Sequence, residues 1–323
     1  VNFLLPLVAA LACIATLVGL LRMFGDRLPV DNPNERSLHK QPVPRIGGVA
    51  IMVAALPTMS AAGVPLPVVA LAAVLAGVSF ADDRRGLPIA WRFSAHFAVA
   101  VLFVVAVGTE LAPWTWLLLV PAIVWLINLY NFMDGSDGLA GGMAVVGFGV
   151  YGIAAYASGD PALAAGSASI AAAAAGFLLF NFHPARVFMG DTGSVALGFL
   201  AAALGIEGWL RGHWPFWFPL AVFAPFVVDA TVTLVRRMFR GERFWQAHRS
   251  HYYQRLVQLG WGHRRTALAE YGCMAASASA ALWARTEPPA VQVLVLAVGA
   301  LCYAIGARAV DVAWRRHLEA LGA

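Results

Sequence analysis

Long apolar runs separated by short polar gaps make up most of the chain, at 2–24, 46–62, 65–80, 92–109, 113–130, 139–157, 161–180, 193–210, 214–235, 266–284 and 288–307. Most are as long as the ~17–25 residues a helix needs to cross the hydrocarbon core of a bilayer. The pattern predicts an all-α integral membrane protein of about 10 to 11 transmembrane helices, forming a single polytopic membrane domain over residues 1–323. Alternate gaps (63–65, 108–113, 158–161, 211–215 and 286–289) are short and carry Gly, Pro or Asp, as tight helix hairpins require. The longer gaps at 25–45 and 236–265 hold much of the polar content. The alanine-rich stretch 162–175 predicts close helix packing rather than low complexity. The first run has no small-residue cleavage site and reads as a retained helix, not a signal peptide.

Composition excludes a soluble fold. The chain is 60% hydrophobic and 12% charged, with a mean hydropathy of +0.73, where soluble domains carry roughly 25% charged residues. If the N-terminus is outside, 20 of the 22 Lys and Arg residues fall on inside segments and only Arg211 and Arg285 fall outside. By the positive-inside rule the C-terminus is then cytoplasmic. Cys13, Cys273 and Cys302 all lie in apolar runs, which gives neither a disulfide framework nor metal-ligand spacing.

Three acidic clusters occur where apolar runs end, and with the N-terminus outside all three fall on the cytoplasmic face. Asp82 and Asp83 precede Arg84, Arg85 and Gly86. Adjacent carboxylates repel, which raises one pKa or invites a cation; an ordinary acid pair neutralised by the two arginines is the alternative. Asn128, Asn131, Asp134 and Asp137 recur every three residues, so a helical continuation would align them. Gly135, Gly138, Gly141 and Gly142 would let backbone N–H groups approach a phosphate at a helix start, or would serve turns and packing. Asn181, His183, Arg186, Phe188 and Asp191 form the third set, in which Asp191 could also cap the next helix.

Two polar loops add cations. His248, Arg249 and His251 lack the further ligands zinc requires and suit a grip on a sugar phosphate, with a solvated basic loop near anionic lipids as the alternative. Lys40, the only lysine, and Arg45 could meet phosphate or set orientation. Asp229, in an apolar run just after Pro225, could act in the site or brace the bundle, and His96 is expected to hydrogen-bond a neighbouring helix.

The pieces at 82–84 (Asp-Asp-Arg), 131–142 (Asn-Phe-Met-Asp-Gly-Ser-Asp-Gly-Leu-Ala-Gly-Gly), 188–194 (Phe-Met-Gly-Asp-Thr-Gly-Ser) and 248–251 (His-Arg-Ser-His) resemble, in order and spacing, the polyprenyl-phosphate N-acetylhexosamine-1-phosphate transferases. The resemblance spans roughly residues 1–310 and implies transfer of a sugar 1-phosphate from a UDP-N-acetylhexosamine to undecaprenyl phosphate, with release of UMP. It implies Mg2+, with Mn2+ as a substitute, held by Asp191 and Asn131. Asp82 and Asp83 would face the lipid phosphate, with one a candidate base. Phe188 would lie against uracil, and Asn181, Asp134 and Asp137 would bind the nucleoside or fix neighbouring groups. His248, Arg249 and His251 would contact the diphosphate and sugar, and Lys40 or Arg45 a phosphate. The separated histidines are most similar to the O-antigen-initiating branch.

The resemblance also implies a place in the bacterial inner membrane, no nucleic acid partner, and leaves a homodimer open. A transporter is the competing class, but transporters gather ionisable groups near the bilayer midplane, whereas the acids here cluster where runs end. A non-catalytic scaffold would leave them without a purpose.

Overall fold

The computed structural model describes residues 4–33, 38, 41–108, 111–242 and 248–322. Lys40, a candidate phosphate contact, lies outside the described residues, as do Arg36 and His39.

The protein is an all-α, multi-pass membrane protein. Its helices are α1 (Leu4–Phe24), α2 (Gly47–Ala62), α3 (Leu66–Arg85), α4 (Ile89–Val107), α5 (Pro113–Phe132), α6 (Leu139–Ala157), α7 (Pro161–Asn181), α8 (Asp191–Leu210), α9 (Phe218–Val222), α10 (Ala224–Phe239), α11 (Tyr252–Leu256), α12 (Gly262–Ala284) and α13 (Pro289–Ala320). A two-residue antiparallel ladder, β1 (Val30–Asp31) with β2 (Val43–Pro44), closes the loop before α2.

Eight of these helices, α1, α3 to α8 and α13, are long and apolar enough to cross a bilayer. At 1.5 Å per residue a 20-residue helix spans about 30 Å. The other three expected runs differ for physical reasons. The helix over 46–62 is only 16 residues. The run at 214–235 is broken at Phe223, where α9 stops and α10 restarts with Pro225 in its first turn. The run at 266–284 lies within α12, whose first turns carry His263, Arg264, Arg265 and Glu270.

Helix α8 is the most buried of the eight and α13 the least. Close approach to α8 depends on missing side chains. A Cβ on Gly48 would overlap the backbone of Gly193, and a Cβ on Gly198 would meet the backbone of Ile127 at 2.8 Å. Helices α2, α5 and α8 therefore meet backbone to backbone, a contact typical of small residues in membrane bundles. Because α3 ends, α5 ends and α8 begins at the same end of the bundle, their polar termini are neighbours.

The opposite end is sealed by ion pairs. Asp160 accepts from Arg211 at 2.8 Å and meets His213 at 2.9 Å, and Arg211 also pairs with Glu207 at 2.8 Å. One of the two arginines assigned to the outside is thus neutralised locally.

Candidate active site

The site starts from the beginning of α8. Gly190 has φ +71°, a conformation that strains any residue with a side chain, and it turns the chain so that the first N–H groups of α8 point at α3. There Asp83 accepts the N–H groups of Asp191 at 3.1 Å and Thr192 at 2.9 Å, and the Thr192 hydroxyl at 2.7 Å. The cap of α8 is therefore Asp83, supplied from another helix, and not Asp191 as the local sequence suggests. A carboxylate at this end also complements the helix dipole. Three donors occupy Asp83, so it is placed to hold Asp191 rather than to face an acceptor as a base.

Asp82 is buried and accepts the Leu87 N–H at 2.5 Å and Arg92 Nη1 at 2.8 Å. The same Arg92 nitrogen reaches Asp191 at 3.3 Å. Arg92, one of the 20 basic residues that fall on inside segments, links the first and third acidic clusters. The available signal was the short 86–88 turn, which folds the start of α4 back over the end of α3.

Beside this trio is a cavity of ≈ 200 Å³. One wall is Asn131, at the end of α5, with Asp134, Gly135, Ser136 and Asp137 of the turn that follows it. The other is Phe188, Gly190 and Asp191, with Asp31, Arg45, Asn181 and His263 completing the rim. The Asn131 side chain hydrogen-bonds Asp191. Phe188 is anchored through its backbone: its N–H donates to Pro44 and its carbonyl accepts from Gly47, 2.8 and 2.9 Å. Arg45 pairs with Asp31 at 2.8 Å; burial opposes its charge, but Asp31, Asp191 and Asp83 outweigh that and raise its pKa.

The donor set fits a hard divalent cation. Desolvation and then the charge of Asp191 hold Asp134 well above the ordinary carboxylate range, despite Arg45. Among the described residues no three His, Cys, Asp or Glu side chains form a ready-made cage. Mg2+ does not require one, since it is usually held by one or two carboxylates with substrate phosphates and water. Asp191 with Asn131 meets that pattern.

Other predicted residues fix their neighbours. Asp137 accepts from the Ala185 N–H at 3.1 Å and meets His183 Nδ1 at 2.7 Å. Asn181 accepts the Gly138 N–H at 2.9 Å and donates to the Val187 carbonyl at 2.9 Å. The three-residue repeat ends with α5, and Asn128 turns back to the Val124 carbonyl at 2.7 Å. The start of α6 is no phosphate seat, because the Gly138 N–H is taken by Asn181 and the space over Gly142 is filled by Tyr271. Gly135 likewise admits the Tyr253 hydroxyl. His263, missed in the sequence, lines the cavity, touches Ser136 at 2.9 Å and stacks on His183 at 5.6 Å.

Among the described residues of the basic loop, His248, Arg249 and His251 stand beside this cavity without lining it. Asp229 accepts the N–H groups of Tyr252 at 2.9 Å and Tyr253 at 3.0 Å and lies 3.2 Å from His251 Nδ1, which makes it the brace of the loop. His251 is buried and stacks on Phe132 at 6.3 Å. His248 packs against His251 at 4.8 Å, and burial, then His251 and Arg237, lower its pKa to about 4. Arg249 is exposed. His96, expected to bond a neighbouring helix, is buried with no hydrogen-bond partner for Nδ1 among the described residues.

Comparison with known proteins resolves the family. The glycosyl transferase family 4 model matches residues 65–208, which contain all three acidic clusters. The decaprenyl-phosphate N-acetylglucosaminephosphotransferase of Mycobacterium leprae (strain TN) is 32% identical over 323 aligned positions, 83% of this chain and 80% of the relative. The chain belongs to glycosyl transferase family 4. A probable undecaprenyl-phosphate N-acetylglucosaminyl 1-phosphate transferase of Bacillus subtilis (strain 168) is 29% identical over 75% of this chain and 73% of its own. A phospho-N-acetylmuramoyl-pentapeptide-transferase of Staphylococcus saprophyticus is 27% identical over 75% and 84%. This family 4 member carries its ionisable site groups at one end of the bundle, which disfavours the transporter reading.

Proposed function

We propose that the protein transfers an N-acetylhexosamine 1-phosphate from a UDP-sugar to undecaprenyl phosphate, giving undecaprenyl-diphospho-sugar and UMP. The observation that carries this reading is the convergence of Asn131, Asp134, Phe188, Asp191 and Arg45 on one cavity, with Arg92 and Asp82 beside it. Two of the relatives named above are by name transferases of undecaprenyl or decaprenyl phosphate, and the bacterial sources of all three fit an inner-membrane location. The separated His248 and His251 support a role in starting an O-antigen or related surface glycan.

Both substrates are anions, so their repulsion is the first barrier to reaction. Among the described residues, Arg45 in the cavity wall and Arg92 beside it are in place to lower it. Bound at Asp191 and Asn131, Mg2+ would offset charge on the donor diphosphate. Phe188 offers a flat ring to the uracil. An oxygen of the acceptor phosphate attacks the phosphorus that carries the sugar; the bond from that phosphorus to the UMP oxygen breaks, and UMP leaves with the electron pair. Phosphate monoesters have a second pKa near 6, so the acceptor is mostly a dianion at pH 7 and needs no strong base. Asp82 holds Arg92 in place, and Asp83 holds α8.

With the N-terminus outside and the basic loops inside, the cavity opens to the cytoplasm, where UDP-sugars are found. Incubating the purified protein with undecaprenyl phosphate, Mg2+ and UDP-linked GlcNAc, GalNAc, QuiNAc and FucNAc in turn tests the reading. UMP and a lipid of the matching mass are expected with at least one donor; no UMP with any of them rejects the proposal.

A further inference from the structure

The last helix ends in a contact that the reaction as described does not use. Helix α13, at 32 residues, is about 48 Å long and exceeds the ~30 Å hydrocarbon core. Near its far end Asp311 accepts Arg255 Nη1 at 2.9 Å and Arg236 Nη1 at 2.5 Å, with the Tyr252 hydroxyl at 3.5 Å. Arg255 lies between the rings of Tyr252 at 5.3 Å and Trp314 at 5.8 Å. Arg236 also donates to the Tyr252 hydroxyl.

These partners converge on α11. At five residues, α11 is far too short to be stable alone. Asp229 holds its first two N–H groups and Asp311 holds its flank, so two carboxylates from different helices clamp it. From α11 the contact continues to the cavity. The Tyr253 hydroxyl donates to the Phe132 carbonyl at 3.1 Å and fills the space over Gly135, while His251 stacks on Phe132. Phe132 lies within, and Gly135 directly follows, the turn from Asn131 to Asp134, which is closed by the Asp134 N–H on the Asn131 carbonyl at 3.2 Å.

We propose that Asp311 is a positioning residue for the donor side of the site, acting through α11 on His251 and on the Asn131–Asp134 turn. The inference rests on the transferase reading. It predicts a selective effect, because Asp82 and Arg92, on the acceptor side, have no contact with α11 among the described residues.

The test compares wild type, Asp311→Asn and Asp311→Glu as full-length protein in nanodiscs. For Asp311→Asn the KM for UDP-sugar is expected to rise by about 10-fold or more, as loss of positioning predicts, while the KM for undecaprenyl phosphate stays within about twofold. Asp311→Glu should recover most of the loss. Hydrogen exchange provides a readout free of the reaction: the Tyr252 and Tyr253 amides should exchange faster in Asp311→Asn, while the Thr192 amide, held by Asp83, should not. An unchanged donor KM, equal rises in both KM values, or unchanged protection at Tyr252 and Tyr253 overturns the proposal. A wild type that releases no UMP refutes the transferase reading, and exchange then still decides whether Asp311 holds α11.

Discussion

Asp83 caps the helix that begins at Asp191, with its two oxygens 3.1 Å and 2.9 Å from the N–H groups of Asp191 and Thr192. Two residues 108 positions apart in the chain are thereby fixed as one unit, and Asp191 enters the cavity from a rigid helix start. Removing a cap of this kind typically costs ~0.5–2 kcal/mol. Asp83→Ala is expected to lower both thermal stability and turnover, measured by thermal unfolding in detergent and by UMP release. Stability equal to wild type would contradict the assigned role.

Arg92 is the cation shared by Asp82 and Asp191. Arg92→Ala leaves both acids without their common partner and removes the positive group nearest the proposed acceptor. Turnover is expected to fall by ~10²-fold or more, in the range seen when one electrostatic donor of an active site is lost. Arg92→Lys should retain part of the charge but not the shared geometry. Steady-state kinetics with varied undecaprenyl phosphate measure both effects.

Asn181 illustrates a site residue whose hydrogen bonds are internal. Replacing it with Leu strands the Gly138 N–H and the Val187 carbonyl, at roughly 1–3 kcal/mol for a buried unsatisfied group. The expected outcome is a lower unfolding midpoint with donor KM little changed in the folded fraction. A donor KM raised without loss of stability would instead assign Asn181 to the substrate.

His248 gives a pH prediction with a definite sign. Its pKa is depressed to about 4 in the folded protein, against an ordinary value near 6.5. The unfolded chain therefore binds this proton more readily, and the stability contributed by neutral His248 is present above about pH 6.5 and lost as the pH falls toward 4. His248→Gln should reduce the loss of thermal stability between pH 7 and pH 4.5. Solvent tempers the size of the effect, since the residue is only partly buried.

Hydropathy revealed the all-α membrane architecture because apolar length is a local property. Eight of the eleven runs are helices long and apolar enough to cross a bilayer, and the other three are set apart by the 16-residue length of α2, the interruption between α9 and α10 at Phe223 and the charged first turns of α12. The acidic clusters were legible for the same reason: carboxylates where apolar runs stop need no partner to be noticed. Their partners were less visible. That Asp83 caps α8, that Arg92 joins Asp82 to Asp191, and that Asp229 braces α11 are contacts between distant segments. Of the two roles the sequence offers for the glycines after α5, packing holds at Gly142, where Tyr271 fills the space, while Gly135 admits the Tyr253 hydroxyl and also lines the cavity; both tyrosines lie more than a hundred residues downstream. His263 carried only a weak signal as one more polar residue beside arginines.

The central claim is that carboxylates at one end of the bundle assemble a phosphoryl-transfer site around Asp191. The most direct test measures UMP release by Asp191→Asn and Asp82→Asn beside wild type, with UDP-sugar, undecaprenyl phosphate and Mg2+ and with folding confirmed by size exclusion and thermal unfolding. The account predicts that both variants remain folded, that Asp191→Asn releases essentially no UMP and that Asp82→Asn, by loosening Arg92, loses turnover by up to ~10²-fold, whereas near-normal turnover by either would contradict it.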